Sequence, residues 1–103
     1  MVLTKDIILQ LLKKQHLKLT SLGVKRIGLF GSFSRNEERE DSDIDLLVEF
    51  QPEAEKFDNL MALGFFLNDL FPGRKVEIAT VRGLSPYIGT KIIQEVIYAQ
   101  IAA

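Results

Sequence analysis

Between residues 31 and 45 the chain reads GSFSRNEEREDSDID, and the residue types at its two ends are those that handle charge. Gly31-Ser32 follows a strand-like apolar run through Ile27, Leu29 and Phe30. A backbone free to turn sharply, followed by a hydroxyl at a predicted helix N-terminus, suits the holding of an anion. At the other end, Asp43-Ile44-Asp45 leads into Leu46, Leu47 and Val48, which reads as the start of a buried strand. Alternate residues of a strand share a side. The two carboxylates therefore project together about 7 Å apart at the backbone, with Ile44 facing the core. Like charges held that close shift each other's pKa unless a cation sits between them. A hard divalent metal with oxygen ligands, most simply Mg²⁺, is the natural partner. Competing readings of the stretch fail on residues. There is no Gly-Lys-Ser/Thr of a P-loop, and Gly31-Ser32-Phe33-Ser34 lacks the second glycine of a nucleophile elbow.

Gly31-Ser32, Arg35 and the run Ser42-Asp43-Ile44-Asp45-Leu46-Leu47-Val48-Glu49-Phe50, with ten residues between Ser32 and Asp43, resemble a known signature. It is that of the minimal nucleotidyltransferases of the DNA polymerase beta-like superfamily. The resemblance covers nearly the whole chain, because the flanking helices and the later Arg74-Lys75-Val76-Glu77-Ile78-Ala79-Thr80 strand also fall where the family puts them. It implies that Asp43 and Asp45 bridge two Mg²⁺ ions. It also implies that Gly31, Ser32 and nearby backbone N–H groups hold the β and γ phosphates of ATP, with Arg35 a further candidate for that charge. The family's third carboxylate, normally an aspartate, ligates the catalytic metal and helps activate the acceptor hydroxyl. Only Glu77 can fill that place here, one methylene longer than aspartate. The glycine that usually follows the motif arginine is replaced by Asn36, the non-glycine residue that best tolerates a left-handed backbone.

The function implied is Mg²⁺-dependent nucleotidyl transfer. The smallest members of the family have little room for an acceptor-binding domain, and this chain stops just after its last predicted helix. The acceptor is therefore expected on another protein. Such chains are similar to antitoxins encoded beside a helical HEPN-domain toxin, a ribonuclease, which they silence by transferring AMP from ATP to a tyrosine hydroxyl. A hetero-oligomer with that toxin follows from the resemblance. An alternative stays open: an antitoxin of the same shape that neutralises its partner by binding alone, with little turnover because Glu77 stands in place of the aspartate. Transfer to a small molecule such as an aminoglycoside ranks below both, since no second domain is seen to hold one.

The elements that must position these residues are legible in order. Thr4 caps a first helix with Asp6 in its opening turn, and Ile7, Ile8, Leu11 and Leu12 repeat at helical spacing. That helix is expected to break near His16, a surface residue, and to stop at Gly23. Val24–Phe30 reads as the first strand, residues 37–42 as a solvated loop, and Asp43–Phe50 as a central strand. A linker over 51–56 leads into a helix over Phe57–Phe71 whose apolar residues cover more than half its circumference. One buried face cannot take them all. The helix is either sandwiched within the domain or partly covered by another chain. Lys75–Thr80 is the third strand. Ser85-Pro86 opens a last helix with an apolar stripe of Ile88, Ile92, Ile93, Val96 and Ile97.

The fold class expected is α/β, a small mixed sheet backed by helices, in a single domain over residues 1–103. The absence of cysteine excludes disulfides and thiolate metal sites and fits a reducing compartment. No apolar run is long enough to span a bilayer, and a cytoplasmic location is expected. A net charge of −1 argues against direct nucleic-acid binding through a broad basic surface.

Overall fold

The computed structural model describes residues 2–101, including every side chain there except those at 87 and 88. Thr4 is extended, and its Oγ1 accepts a hydrogen bond from the Ile7 N–H at 3.3 Å, so helix α1 (Lys5–Lys14) begins where a hydroxyl satisfies an otherwise orphaned amide. Asp6 in the first turn and Lys13 and Lys14 in the last complement the helix dipole. Ile8 and Leu12 line its buried stripe. The chain breaks at Gln15 and resumes as α2 (His16–Ser21), which buries Leu19. The expected break is present. The His16 ring stays at the surface, with Nδ1 3.0 Å from the Lys13 carbonyl oxygen.

Strands β1 (Val24–Phe30) and β2 (Ile44–Phe50) pair antiparallel. Helix α3 (Phe57–Leu70) then crosses over, and β3 (Val76–Thr80) pairs with β2 in parallel, which requires a connection of that length. Helix α4 (Pro86–Glu95) has proline at its first position, where no N–H is needed. Strand β4 (Ile97–Tyr98) pairs antiparallel with β1 and completes a mixed sheet of order β3-β2-β1-β4. The expected α/β architecture is therefore found, with β2 inside the sheet. Its Ile44, Leu46, Val48 and Phe50 are buried in one core with Ile27 and Leu29 of β1, Leu63 and Leu67 of α3, and Phe33 and Phe71. Alternation then sends Asp45, Leu47 and Glu49 to the opposite face. The site carboxylate is thus on the side of the sheet away from α1 and α3.

Two expectations change. The last apolar stripe is not all helix: α4 ends at Glu95, Ile97 lies in β4, and Ile93 is exposed. Val96-Ile97-Tyr98 is a β-branched and aromatic run, and the edge of β1 offers it free backbone groups. Gly28 permits the approach, because a Cβ there would come within 2.9 Å of the Tyr98 ring. The side chain of Ile88 lies outside the described residues. As for α3, Leu63 and Leu67 are buried, whereas Phe57, Met61 and Phe65 are 72%, 43% and 65% exposed. The chain itself does not sandwich this helix. Among the described residues, no helix is long and apolar enough to cross a membrane.

Candidate active site

At the end of β1 the backbone turns at Gly31, whose φ is +78°. The short helix expected after it is a single turn. The Gly31 carbonyl accepts from the N–H groups of Ser34 (3.1 Å) and Arg35 (3.3 Å) and from the Ser34 hydroxyl (2.8 Å). The turn is then closed by paired bonds from Asn36 N–H to the Phe33 carbonyl (3.3 Å) and from Glu37 N–H to the Ser32 carbonyl (2.9 Å). That pairing is a Schellman closure, and it needs a left-handed residue at Asn36, which has φ +58°. Asparagine fills the place expected of glycine. Phe33, fully buried, pins the turn to the core, while the Ser32 hydroxyl engages no partner among the described residues.

The carboxylates lie beside this turn in the strand register. Phe30 pairs with Asp45 across β1 and β2, and Asp45 pairs with Glu77 across β2 and β3. A row therefore runs from the end of β1, where the Gly31 turn begins, through Asp45 to Glu77. The turn and the row are in contact: a Cβ at position 31 would collide with Asp45 Oδ2, which gives a second reason for glycine there. Asp43 immediately precedes β2. Burial, followed by the charges of Glu77 and Asp43, pushes the Asp45 carboxyl up to about 6, with Arg35 opposing the rise. Glu77 is half exposed and also reaches Lys75 Nζ at 3.2 Å. Among the described residues no three acidic side chains close on one point as a finished metal cage. The donor set still suits a hard divalent ion, since it is carboxylate oxygen only and one member is held above its ordinary pKa by burial and by its acidic neighbours.

Of the six residues singled out in the sequence, the structure sets Gly31 against Asp45 and Glu77 opposite Asp45, with Asp43 and Arg35 near enough to act on the Asp45 charge and Ser32 next in the turn. Sequence reasoning missed two residues. Glu95 accepts a hydrogen bond from the Gly31 N–H at 2.6 Å and from Arg35 Nη1 at 3.0 and 3.1 Å. Arg74 donates from Nη1 to the carbonyls of Ser42 (2.9 Å) and Arg39 (3.3 Å) while its guanidinium lies 5.3 Å from the centroid of the Phe33 ring. It thereby ties the end of the acidic loop, and so the approach to Asp43, to the turn. Neither contact has a local sequence signal, because each partner is more than thirty residues away.

The model of the nucleotidyltransferase domain family matches residues 7–99. A protein of Methanocaldococcus jannaschii named a "putative protein adenylyltransferase" is 39% identical over 75 residues, covering 73% of this chain and 78% of that one. A solved structure of a "putative minimal nucleotidyltransferase" superposes with a TM-score of 0.75 at 33% identity, over 92% of this chain and 95% of the other. A chain of a toxin-antitoxin complex crystallised with AMP-PNP superposes with a TM-score of 0.57, over 94% of this chain and 73% of that one; at 20% identity it attests the fold. With the Gly31-Ser32 turn set against Asp45 and Glu77, and with a match running from α1 to the last strand, the chain belongs to the nucleotidyltransferase domain family.

Proposed function

We propose that this chain is a Mg²⁺-dependent protein adenylyltransferase that moves AMP from ATP to a tyrosine hydroxyl of a partner protein, a helical HEPN-type ribonuclease toxin, and silences it. The observation that carries the reading is the row Phe30, Asp45, Glu77, which sets the Gly31-Ser32 turn beside acidic side chains. The relative named for protein adenylyl transfer and the fold shared with a toxin-antitoxin chain support the class of acceptor.

In this reading Asp43, Asp45 and Glu77 would hold divalent ions, which supply neutralisation of the triphosphate and a lowered pKa for the acceptor hydroxyl. Ser32 and Arg35 hold the β and γ phosphates. The acceptor oxygen bonds to the α-phosphorus, the bond from that phosphorus to the β-bridging oxygen breaks, and pyrophosphate leaves. The hydroxyl proton passes to Glu77, the acid that stands in the place of the family's third carboxylate and lies across from Asp45 in the strand register. Half-exposed Glu77 leaves this face open to a side chain presented by another protein.

The test is to supply ATP labelled at the α-phosphate, with Mg²⁺, to the chain and the toxin encoded beside it. Label is expected on the toxin and is lost in the double variant Asp43→Asn with Asp45→Asn. Label that persists in the double variant removes the assignment. A second reading, neutralisation by binding with little turnover, is favoured by the 3.2 Å contact that draws Glu77 toward Lys75. It is the right one if toxin is neutralised equally by wild type and by the double variant while no label appears.

A further inference from the structure

Glu95 is the last residue of α4, and its side chain is only 16% exposed. Its carboxylate bonds to two groups of the turn. Oε2 takes the Gly31 N–H at 2.6 Å, and both oxygens take Arg35 Nη1. Arg35 Nε is held in turn by Glu37 Oε1 at 2.9 Å. Two of the three guanidinium nitrogens are therefore held by two different carboxylates, and Nη2 carries none of these bonds. The end of α4 cannot drift, because β4 begins two residues later and pairs with Gly28 and Leu29 of β1. The strand that receives β4 is thus the strand that ends in the Gly31 turn.

We infer that Glu95 is a positioning residue for nucleotide binding. It bridges the first amide of the turn to the Arg35 guanidinium, so that the Ser32 hydroxyl and Arg35 Nη2 are presented together to the β and γ phosphates. The inference rests on the reading that the Gly31-Ser32 turn receives a triphosphate. A carboxylate beside a triphosphate is electrostatically unfavourable, so its presence needs a reason. Charge-assisted bonds to a backbone amide and a guanidinium fix geometry more firmly than neutral ones, and a fork held at two corners loses less freedom when a phosphate takes the third. The opposite role, a plug that the nucleotide must displace, predicts the opposite sign on removal of the charge.

The experiment compares wild type with Glu95→Gln and Glu95→Ala, in the full chain with its protein acceptor. The readings are ATP binding by calorimetry in the presence of Mg²⁺, the split between KM and kcat for AMP transfer, and the Gly31 amide resonance by ¹H–¹⁵N NMR without nucleotide. Loss of a bond to a charged group predicts a KM and Kd for ATP raised roughly tenfold in Glu95→Ala and about threefold in Glu95→Gln. The kcat is expected to stay within about twofold, the pattern of lost ground-state binding. The Gly31 amide should lie far downfield in wild type and move upfield in both variants. The isosteric Glu95→Gln keeps the test open should the alanine variant not fold. Unchanged ATP affinity in both variants overturns the inference, as does tighter binding in Glu95→Gln, which would make the carboxylate a competitor of the nucleotide. Failure of wild type itself to bind ATP marks failure of the underlying functional reading, and the inference falls with it.

Discussion

The turn at residues 31–37 and the carboxylate row beside it handle charge in opposite ways. In the turn every charge has a counterpart: Arg35 meets Glu37 at 2.9 Å and Glu95 at 3.0 Å, and the backbone closes on itself through Asn36. In the row like meets like. Asp45 is partly buried between Glu77 and Asp43, and burial, followed by their repulsion, pushes its carboxyl up to about 6. The difference separates what the chain prepares from what it leaves for a ligand. An anion site can be assembled in advance from neutral donors and one arginine, whereas a cation site is a set of mutually repelling groups until the cation arrives. Folding completes the first and stores strain in the second.

The sharpest way to test that contrast is to remove the repulsion. Asp43→Asn with Asp45→Asn should lower AMP transfer by about a thousandfold or more, since positioning and charge neutralisation carry most of this chemistry. The same variant should melt no lower than wild type by circular dichroism. If activity and folding fail together, the row is a structural element and the contrast breaks. Next in size is the seam between the two regions. Gly31→Ala meets both a left-handed backbone, φ +78°, and Asp45 Oδ2, and should lose about 2–3 kcal/mol of stability in denaturant titrations. Gly73→Ala is the control. Its φ is +82° but nothing lies within 4 Å of the added methyl, so only the backbone cost of about 1 kcal/mol is expected. Equal losses at the two sites would show that Asp45 is not pressed against the turn.

How far the sequence revealed this arrangement follows the same division between local and distant. The Thr4 cap and the Asn36 substitution are local, and backbone geometry settles them; the Asp43-Ile44-Asp45 alternation is local too, with Ile44 buried between two partly exposed acids. Glu77 was singled out through family spacing alone, and the strand register sets it opposite Asp45. Glu95 was not reachable in that way. It reads as a polar position on a helical stripe, and its role depends on β4, whose two residues are hidden in an apolar run that periodicity alone assigns to helix. The α3 helix shows the converse. Its excess of apolar residues was plain, and the structure leaves Phe57, Met61 and Phe65 exposed, so the sequence carried a fact that the folded chain does not absorb.

Glu77 is where the contrast is least sharp, because the acid takes part in the row and in the contact with Lys75. Glu77→Ala is expected to lower kcat about tenfold, and Glu77→Asp to keep or raise it, since a carboxylate one methylene shorter lies farther from Lys75. Steady-state transfer assays at saturating ATP decide it. A loss in the aspartate variant as large as in alanine would mean that the longer side chain sets the geometry of this site. If neither substitution alters transfer, Glu77 belongs to the surface pair alone.

The smallest effect is also the most direct reading of what burial and like charge do to Asp45. In the folded chain Asp45 titrates at about 6, against 3.8 for an ordinary aspartate. Between those two values the folded state binds more protons than the unfolded state, so stability falls as pH rises through that window and the full penalty is present above about 6. Asp45→Asn removes the penalty. With chelator present, its melting temperature should exceed that of wild type at pH 7.5, and the gap should close as the pH approaches 4. After discounting for solvent around a half-buried group, the gain is about 1 kcal/mol, or roughly 4–8 °C for a domain of this size. Adding Mg²⁺ in place of chelator at pH 7.5 should raise the wild-type melt and leave the variant unmoved, because an ion that binds only the folded row stabilises it by mass action. A gap that does not vary with pH would locate the effect in hydrogen bonding at Asp45. A gap that varies with pH but ignores Mg²⁺ would leave the raised carboxyl real and show that the row does not bind Mg²⁺.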